Sequence, residues 1–427
     1  MRKQVIIMLF LLIITVITFL GMYDLSAHHD PRPESPAINA TPSPPPEESP
    51  TPSPPPEESP TPTPGDPPDT SPPPQETPAP VESPSPPPPD NGINYLQEGG
   101  LFELPVTGAT GYTSVSLKVF SEIPVTREDV IITLPAGRGF TILDENDTWW
   151  KILTDDAEGW VSSRLCFINL PDIIPSIVYK NTNASSSMLR SMGFDIPNVT
   201  SKQLYEAHTF NQRLDKDEYI IPVLYRTAIM LSKAQQAALA DGNTIIMNEA
   251  FRPREVQRLI VRNMQRLMDS NTTVNEAITT PPWSMNWFVS PSLSNHQRGA
   301  AIDISLGKVI TSEDKKTGDY AYTLITEYNE YVMPTAMHEL SPRAAVFKNP
   351  VQTSSPDDWK VNGVFTDSMT DSAKLMQRYM TNVGFTPLSS EWWHFNDLEG
   401  RALAIELGIN GEYLIDSVYS IEPVVIQ

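Results

Sequence analysis

Cysteine is all but missing from this sequence: Cys166 is the single one in 427 residues. That excludes an intramolecular disulfide, a cysteine-rich zinc module, an iron-sulfur cluster and a CxxC redox site. Positive charge is scarce as well, with 30 Lys and Arg against 52 Asp and Glu and a net charge of -22. Such a surface offers no basic footprint for phosphates, so a nucleic-acid partner is not expected. The chain has no GxGxxG, GxxxxGK[ST] or GxSxG, which leaves no footing for a dehydrogenase, a P-loop kinase or a serine hydrolase.

Proline, by contrast, is abundant and unevenly placed. Of 44 prolines, 27 fall between Pro31 and Asp90, where the decapeptide TPSPPPEESP occurs at 41–50 and again at 51–60. No core can form from that composition, and residues 31–96 are expected to be a disordered, semi-rigid linker rich in polyproline II. Before it, Arg2 and Lys3 precede Val5 to Met22, eighteen residues without a charge. That is long enough to span a bilayer, and the basic flank puts the N-terminus inside. Cleavage after Ala27 would need a small residue where Leu25 stands. The expectation is an N-terminal membrane anchor over 1–30, a partnership with the cell membrane through that helix, and a single-pass protein whose catalytic domain is extracellular, in the cell wall.

Residues 97–171 hold short alternating stretches, Val130 to Leu134, Phe140 to Leu143 and Trp149 to Leu153, separated by Gly, Asp and Asn turns. They predict a small all-β barrel. The stretch LPAGRGFTILDENDTWWKILTDDAEGWVSSRL, with its Trp149-Trp150 pair and its Gly159-Trp160-Val161 close, resembles the bacterial SH3-like domain. That resemblance implies either a module that binds wall peptides or a spacer whose tryptophans are core.

Beyond residue 172 helices alternate with strands. Apolar and alanine positions from Pro222 to Asp241 fall at helical spacing, with Gly242 placed as a cap. A strand is expected at Thr244 to Met247, a turn through Pro253, and a helix from Arg254 to about Met268. Further strands are expected at Gly299 to Leu306 and Glu391 to Asn396, and a helix at Ser372 to Asn382. The pattern lacks repeated βαβ units, so 172–427 should be an α+β domain on a mainly antiparallel sheet.

Only six histidines exist, at 28, 29, 208, 296, 338 and 394. His296 lies in SNHQRGAAID, where polar residues and a glycine lead into a strand carrying Asp303. On a period of two Asp303 shares its face with Ala301 and Ser305, while Ile302, Ile304 and Leu306 face the core. A carboxylate so placed needs a cation. His394 sits in Glu391-Trp392-Trp393-His394-Phe395, and two histidines with one carboxylate and an open fourth position form a catalytic zinc set that lowers the pKa of a water to about 7. Glu391 is then the candidate general base. It would point away from His394 in a regular strand, so a bend or a strand start is required at Trp392. Arg252, at the end of the strand before Pro253, could polarise a scissile carbonyl or neutralise a terminal carboxylate.

These three segments match the SxHxxGxAxD, ExWH and arginine motifs in the order used by the D-alanyl-D-alanine metallopeptidases. Those are the VanY-type carboxypeptidases and VanX-type dipeptidases of the LAS superfamily, and the resemblance spans roughly residues 200–405. It implies zinc (Zn2+) held by His296, Asp303 and His394, Glu391 as general base, Arg252 as stabiliser of the tetrahedral intermediate, and Ser294 as a contact for the substrate carboxylate. The partner it implies is a peptidoglycan stem peptide, and the activity a D,D-carboxypeptidase. A D-Ala-D-Ala dipeptidase, a peptidoglycan endopeptidase and a metal-free wall-binding display module are the competing readings. Gln297 is more like the carboxypeptidases, and EWWHF more like the dipeptidases. His338 stands where the dipeptidases carry an aspartate, which weakens the case for holding a free amino terminus.

Overall fold

The structure, a computed structural model, describes residues 92–124, 128–352 and 355–423. Residues 31–91 of the expected linker and the 5–22 apolar run lie outside those residues, but the expected linker ends too late: Ile93 already donates to the Asp319 carbonyl at 2.8 Å and bridges to Tyr320. Among the described residues no helix is long and apolar enough to cross a membrane. The longest, Arg254–Ser270, has 17 residues and carries arginines at 254, 258, 262 and 266 along one face, whereas a span needs about 20 mostly apolar ones. The expected single-pass location in the cell membrane, with its membrane partnership, is corrected accordingly.

Seven strands from Thr110–Thr113 to Cys166–Asn169 build the barrel, all pairing antiparallel. The hairpin between Gly139–Asn146 and Trp149–Leu153 turns at Asp147, which takes a left-handed φ of 53° that Asp tolerates in turns. Trp150 is fully buried and donates to Glu145 Oε1 at 3.0 Å, while Trp149 stays half-buried against Phe120. One tryptophan of the pair is therefore core.

Pro222–Leu224 extends this barrel sheet by pairing with Cys166–Asn169, and the helix Tyr225–Ala240 follows at once. Its buried Ala228, Leu231, Ala234 and Ala238 recur every three to four residues and make one apolar face. Gly242, at φ 70°, ends it in the left-handed conformation glycine permits. The helix packs on the strand Asn243–Glu249 and on the helix Asp371–Asn382.

The peptidase sheet runs, edge to edge, Thr386–Leu388, Glu391–Asn396, Ala301–Thr317, Asn243–Glu249 and Val178–Tyr179. Every pair is antiparallel except the last, so the sheet is mainly antiparallel as the sequence suggests. Two expectations change. Residues 301–307 are buried on both faces rather than one, with the helix Asp371–Asn382 and the turn His296–Arg298 packed against this strand. The strand also runs on to Thr317, its polar outer half held by pairing with Tyr320–Glu330 and not by burial. Hydrophobic periodicity cannot reveal such an arm.

Barrel and sheet meet at the turn that carries His296. Leu224 donates its N–H to the Gly299 carbonyl at 2.9 Å. Gly299 has φ 64°, and a Cβ there would lie 2.6 Å from the Phe167 ring of the barrel and 3.1 Å from the Leu224 nitrogen. The C-terminal chain ties down another barrel face, with Ile421 donating to the Gly108 carbonyl at 2.8 Å and Tyr413 to that of Ser114 at 2.8 Å. Gly299→Ala combines left-handed strain with overpacking, and a loss of about 1–3 kcal/mol is expected. Thermal unfolding checks the stability, and a zinc titration of the same variant should show weaker binding because His296 shifts with the turn. Unchanged Tm and zinc affinity would show that the barrel contact does not set the turn.

Candidate metal centre and active site

Three neighbouring strands put their functional side chains in one row. Asp303 pairs directly with His394 on one side and with Glu249 on the other, and directly opposed residues project to the same face. His296 reaches this row from the short 3-10 turn His296–Arg298, closed by Gly299. Its Nδ1 lies 2.7 Å from the Ala250 carbonyl. A carbonyl only accepts, so Nδ1 carries the proton and Nε2 presents a lone pair.

The same reasoning fixes His394. Its Nε2 donates to Asn396 Oδ1 at 3.0 Å, an oxygen that also accepts from Asn295 at 2.7 Å, which leaves Nδ1 free. His394 Nδ1 then lies 3.2 Å from His296 Nε2 and 3.0 Å from Asp303 Oδ1, and His296 Nε2 lies 3.4 Å from that oxygen. Lone-pair atoms converge here with no proton to share between the two rings, an arrangement a cation resolves. Ligands about 2 Å from a tetrahedral zinc stand about 3.3 Å apart, so the set fits that ion. All three residues are buried.

The electrostatics agree with that use. Burial opposes ionisation of Asp303, but the His296, His338 and His394 rings outweigh it and hold the carboxyl well below its ordinary range. Burial pushes His296 down, toward the neutral ring a metal requires. Burial would lower His394 too, yet Asp303 raises it overall. Glu391 is pushed up to about 8, chiefly by burial, and positive charge at the ligand cluster acts in the opposite direction.

Glu391 Oε2 lies 3.7 Å from His394 Nδ1. The required bend is present: between the pairs Pro387 with Phe395 and Leu388 with Glu391 the register shifts, and the bulge turns Glu391 to the His394 side. Arg252 is buried and largely committed. Its Nε donates to Glu249 Oε2 at 2.8 Å, its Nη2 reaches the same oxygen, and its Nη1 donates to Gln257 at 2.8 Å. Nη2 stands 3.6 Å from Asp303 Oδ2, so Arg252 borders the centre with its charge already matched by Glu249. Ser294 Oγ accepts from the His296 N–H at 3.2 Å and lines the cleft.

Two buried residues carry more than sequence reasoning gave them. Glu249 also accepts from Asn183 at 2.7 Å and from the Tyr205 hydroxyl at 3.3 Å; its signal was an acid three residues before Arg252 inside an apolar strand. The strand runs through Glu249 rather than ending at Met247. His338, in the left-handed region at φ 61°, donates from Nε2 to Asp303 Oδ2 at 3.1 Å and accepts at Nδ1 from Thr182 at 3.3 Å. It is a hydrogen-bond partner of the candidate ligand Asp303. Glu249, Asp303 and His338 also form a compact group, but the Arg252 guanidinium already supplies the cation there.

The cleft beside the cluster measures about 420 Å³ and is lined by His296, Asp303, Glu391 and His394 together with Trp287 and Trp393. Residues 209–407 match the family model described as D-ala-D-ala dipeptidase, and residues 118–165 match that of the bacterial SH3 domain. No curated protein matches. Among solved structures the chain is similar to a point mutant of the vancomycin resistance D,D-pentapeptidase VanY from the VanB-type resistance cassette, crystallised in complex with Zn(II). Identity is 15% over 52% of this chain and 91% of that one, with a TM-score of 0.18. Sequence motifs, family matches and buried donor set together support a metallopeptidase domain over residues 209–407, similar to the family described as D-ala-D-ala dipeptidase, with a segment similar to the bacterial SH3 domain upstream of it.

Proposed function

We propose that the chain is a zinc-dependent D,D-carboxypeptidase that removes the terminal D-alanine from peptidoglycan stem peptides, with an SH3-like domain over 97–171 and the peptidase over 172–427. The observation that carries this reading is the convergence of His296, Asp303 and His394, 3.0–3.4 Å apart, beside Glu391 in an open cleft. An ion held there supplies Lewis-acid polarisation of the scissile carbonyl and acidifies the attacking water. Glu391 takes the proton from that water and passes it to the leaving amine. Arg252, fixed by Glu249 and Gln257, holds positive charge beside Asp303 where the tetrahedral oxyanion develops. His338 locks Asp303 through Oδ2 and leaves Oδ1 for the metal. Ser294 keeps its hydroxyl proton available to a substrate carboxylate.

Substrate choice follows from the acids. Glu249 is matched by Arg252, Asp303 by the histidines, and Glu391 is the base, which leaves no carboxylate of this cluster for a substrate ammonium group. An acylated penultimate residue suits such a site. The family description favours a D-Ala-D-Ala dipeptidase as the second reading. Incubating the zinc-loaded chain with a stem pentapeptide and with free D-Ala-D-Ala separates the two. Release of a single D-alanine is expected, at a kcat/KM far above that for the free dipeptide. Preference for the dipeptide would overturn the carboxypeptidase assignment, and internal cleavage of purified wall would replace it with an endopeptidase.

A further inference from the structure

Arg252 is held by a carboxylate that is itself held. Glu249 spends Oε2 on Arg252, accepting from Nε at 2.8 Å and from Nη2. Its other oxygen, Oε1, accepts from Asn183 Nδ2 at 2.7 Å and from the Tyr205 hydroxyl at 3.3 Å. Glu249 and Asn183 are both fully buried. A carboxylate anchored through one oxygen cannot swing about its last bond, so whatever holds Oε1 also sets the direction of Oε2 and the plane of the guanidinium upon it.

Both holders are tied down in turn. Asn183 lies in the short helix Thr182–Ser185, which packs on the strand Asn243–Glu249. Its Oδ1 accepts from the Ser187 hydroxyl at 2.7 Å, and its carbonyl accepts from the Leu204 N–H at 2.8 Å. That leaves the amide nitrogen for the carboxylate, which can only accept. The single hydroxyl proton of Tyr205 faces three acceptors: Glu249 Oε1, Asn181 Oδ1 at 3.1 Å and the Phe251 carbonyl at 3.2 Å. Tyr205 thereby grips both the carboxylate on which Arg252 rests and the peptide unit joining Phe251 to Arg252. Neither Asn183 nor Tyr205 lines the cleft, so no contact with substrate there accounts for the arrangement.

We infer that Tyr205 and Asn183 are positioning residues for the reaction, which aim the Arg252 guanidinium at the oxyanion through Glu249 and the Phe251 carbonyl. The inference deepens the proposed peptidase function and rests on it. Glu249 alone would balance the charge of Arg252; the added anchors fix direction, which is what a planar fork contributes and a point charge does not. Displacing a catalytic group by about 1 Å costs on the order of 100-fold, and deleting one oxyanion donor costs roughly 100- to 1,000-fold. Removal of one anchor while the other stays should therefore lower kcat by roughly 10- to 100-fold.

The test is a double-mutant cycle on the full zinc-loaded chain, with a stem pentapeptide ending in D-Ala-D-Ala as substrate. Tyr205→Phe removes one oxygen and keeps the ring; Arg252→Lys keeps the charge that balances Glu249 and loses the fork. The expected result is a fall in kcat of the stated size in Tyr205→Phe, with KM and zinc content close to those of the unmodified chain. The double variant should then be no slower than Arg252→Lys, because a hydroxyl that acts by aiming the fork has nothing left to aim. A merely structural hydroxyl would slow both backgrounds by the same factor, and that outcome overturns the inference, as does an unchanged kcat in Tyr205→Phe. If Tyr205→Phe does not fold, as judged by Tm, Asn183→Ser takes its place in the cycle and must show the same non-additivity. Full kcat in Arg252→Lys overturns the inference while the peptidase remains. An unmodified chain that leaves the pentapeptide intact overturns the proposed function and the inference with it.

Discussion

Dialysis of the full chain against a chelator abolishes peptide hydrolysis, and zinc added back at about one equivalent restores it. The expectation follows from three donor atoms 3.0–3.4 Å apart, two of them imidazole nitrogens whose other nitrogen is already bound to Ala250 or Asn396. Such tethering fixes each tautomer in advance, so the lone pairs point inward whenever the protein is folded. Three protein ligands leave the fourth position to water or substrate. The effect should be all or none, since neither Glu391 nor Arg252 can acidify water without the ion. Metal analysis of the purified chain checks the stoichiometry. Full turnover by metal-free protein would sink the metallopeptidase assignment.

Glu391→Gln should lower turnover by roughly 100- to 10,000-fold while zinc stays bound, because the change removes a proton acceptor and keeps the shape of the side chain. Glu391 is separable from the ligand set on geometry. It stands 3.7 Å from His394 Nδ1, whereas Asp303 lies 3.0 Å from the same atom and 3.4 Å from His296. Burial already biases this carboxyl toward the proton, up to about 8, which suits a group that must hold a proton between attack and departure of the amine. Zinc content and turnover measured on one preparation decide the matter. If zinc is lost and reconstitution returns nearly full activity, Glu391 is a ligand or a structural residue and another group must be the base.

The candidate ligands were legible because their chemistry is rare in this chain. With six histidines, a His-Asp pair seven residues apart and a Glu-His pair three apart had few competitors. The helices Tyr225–Ala240, Arg254–Ser270 and Asp371–Asn382 were legible for a different reason: their buried positions recur at three to four residues, and a helix reports its buried face directly in sequence. Glu391–Asn396 was read correctly as a strand, but its bulge was inferred from need and not from pattern.

Sequence alone thus determined which residue types meet at the centre, the order of barrel and peptidase, and the mainly antiparallel character of the sheet, because each is written in local spacing or in motif. Tertiary structure decided the rest. It brought Glu249 beside Asp303 through strand register, an alignment between segments over fifty residues apart that neither segment encodes by itself. It brought His338 to the Asp303 carboxylate, 35 residues away in the chain. It seated Gly299 against Phe167 of the barrel, so that a module legible as a separate unit supports the turn holding His296. It also matched Arg252 to Glu249. The physical reason is common to all four: a buried charge takes its meaning from its partners, and partners are chosen by packing across the fold and not by neighbours along the chain.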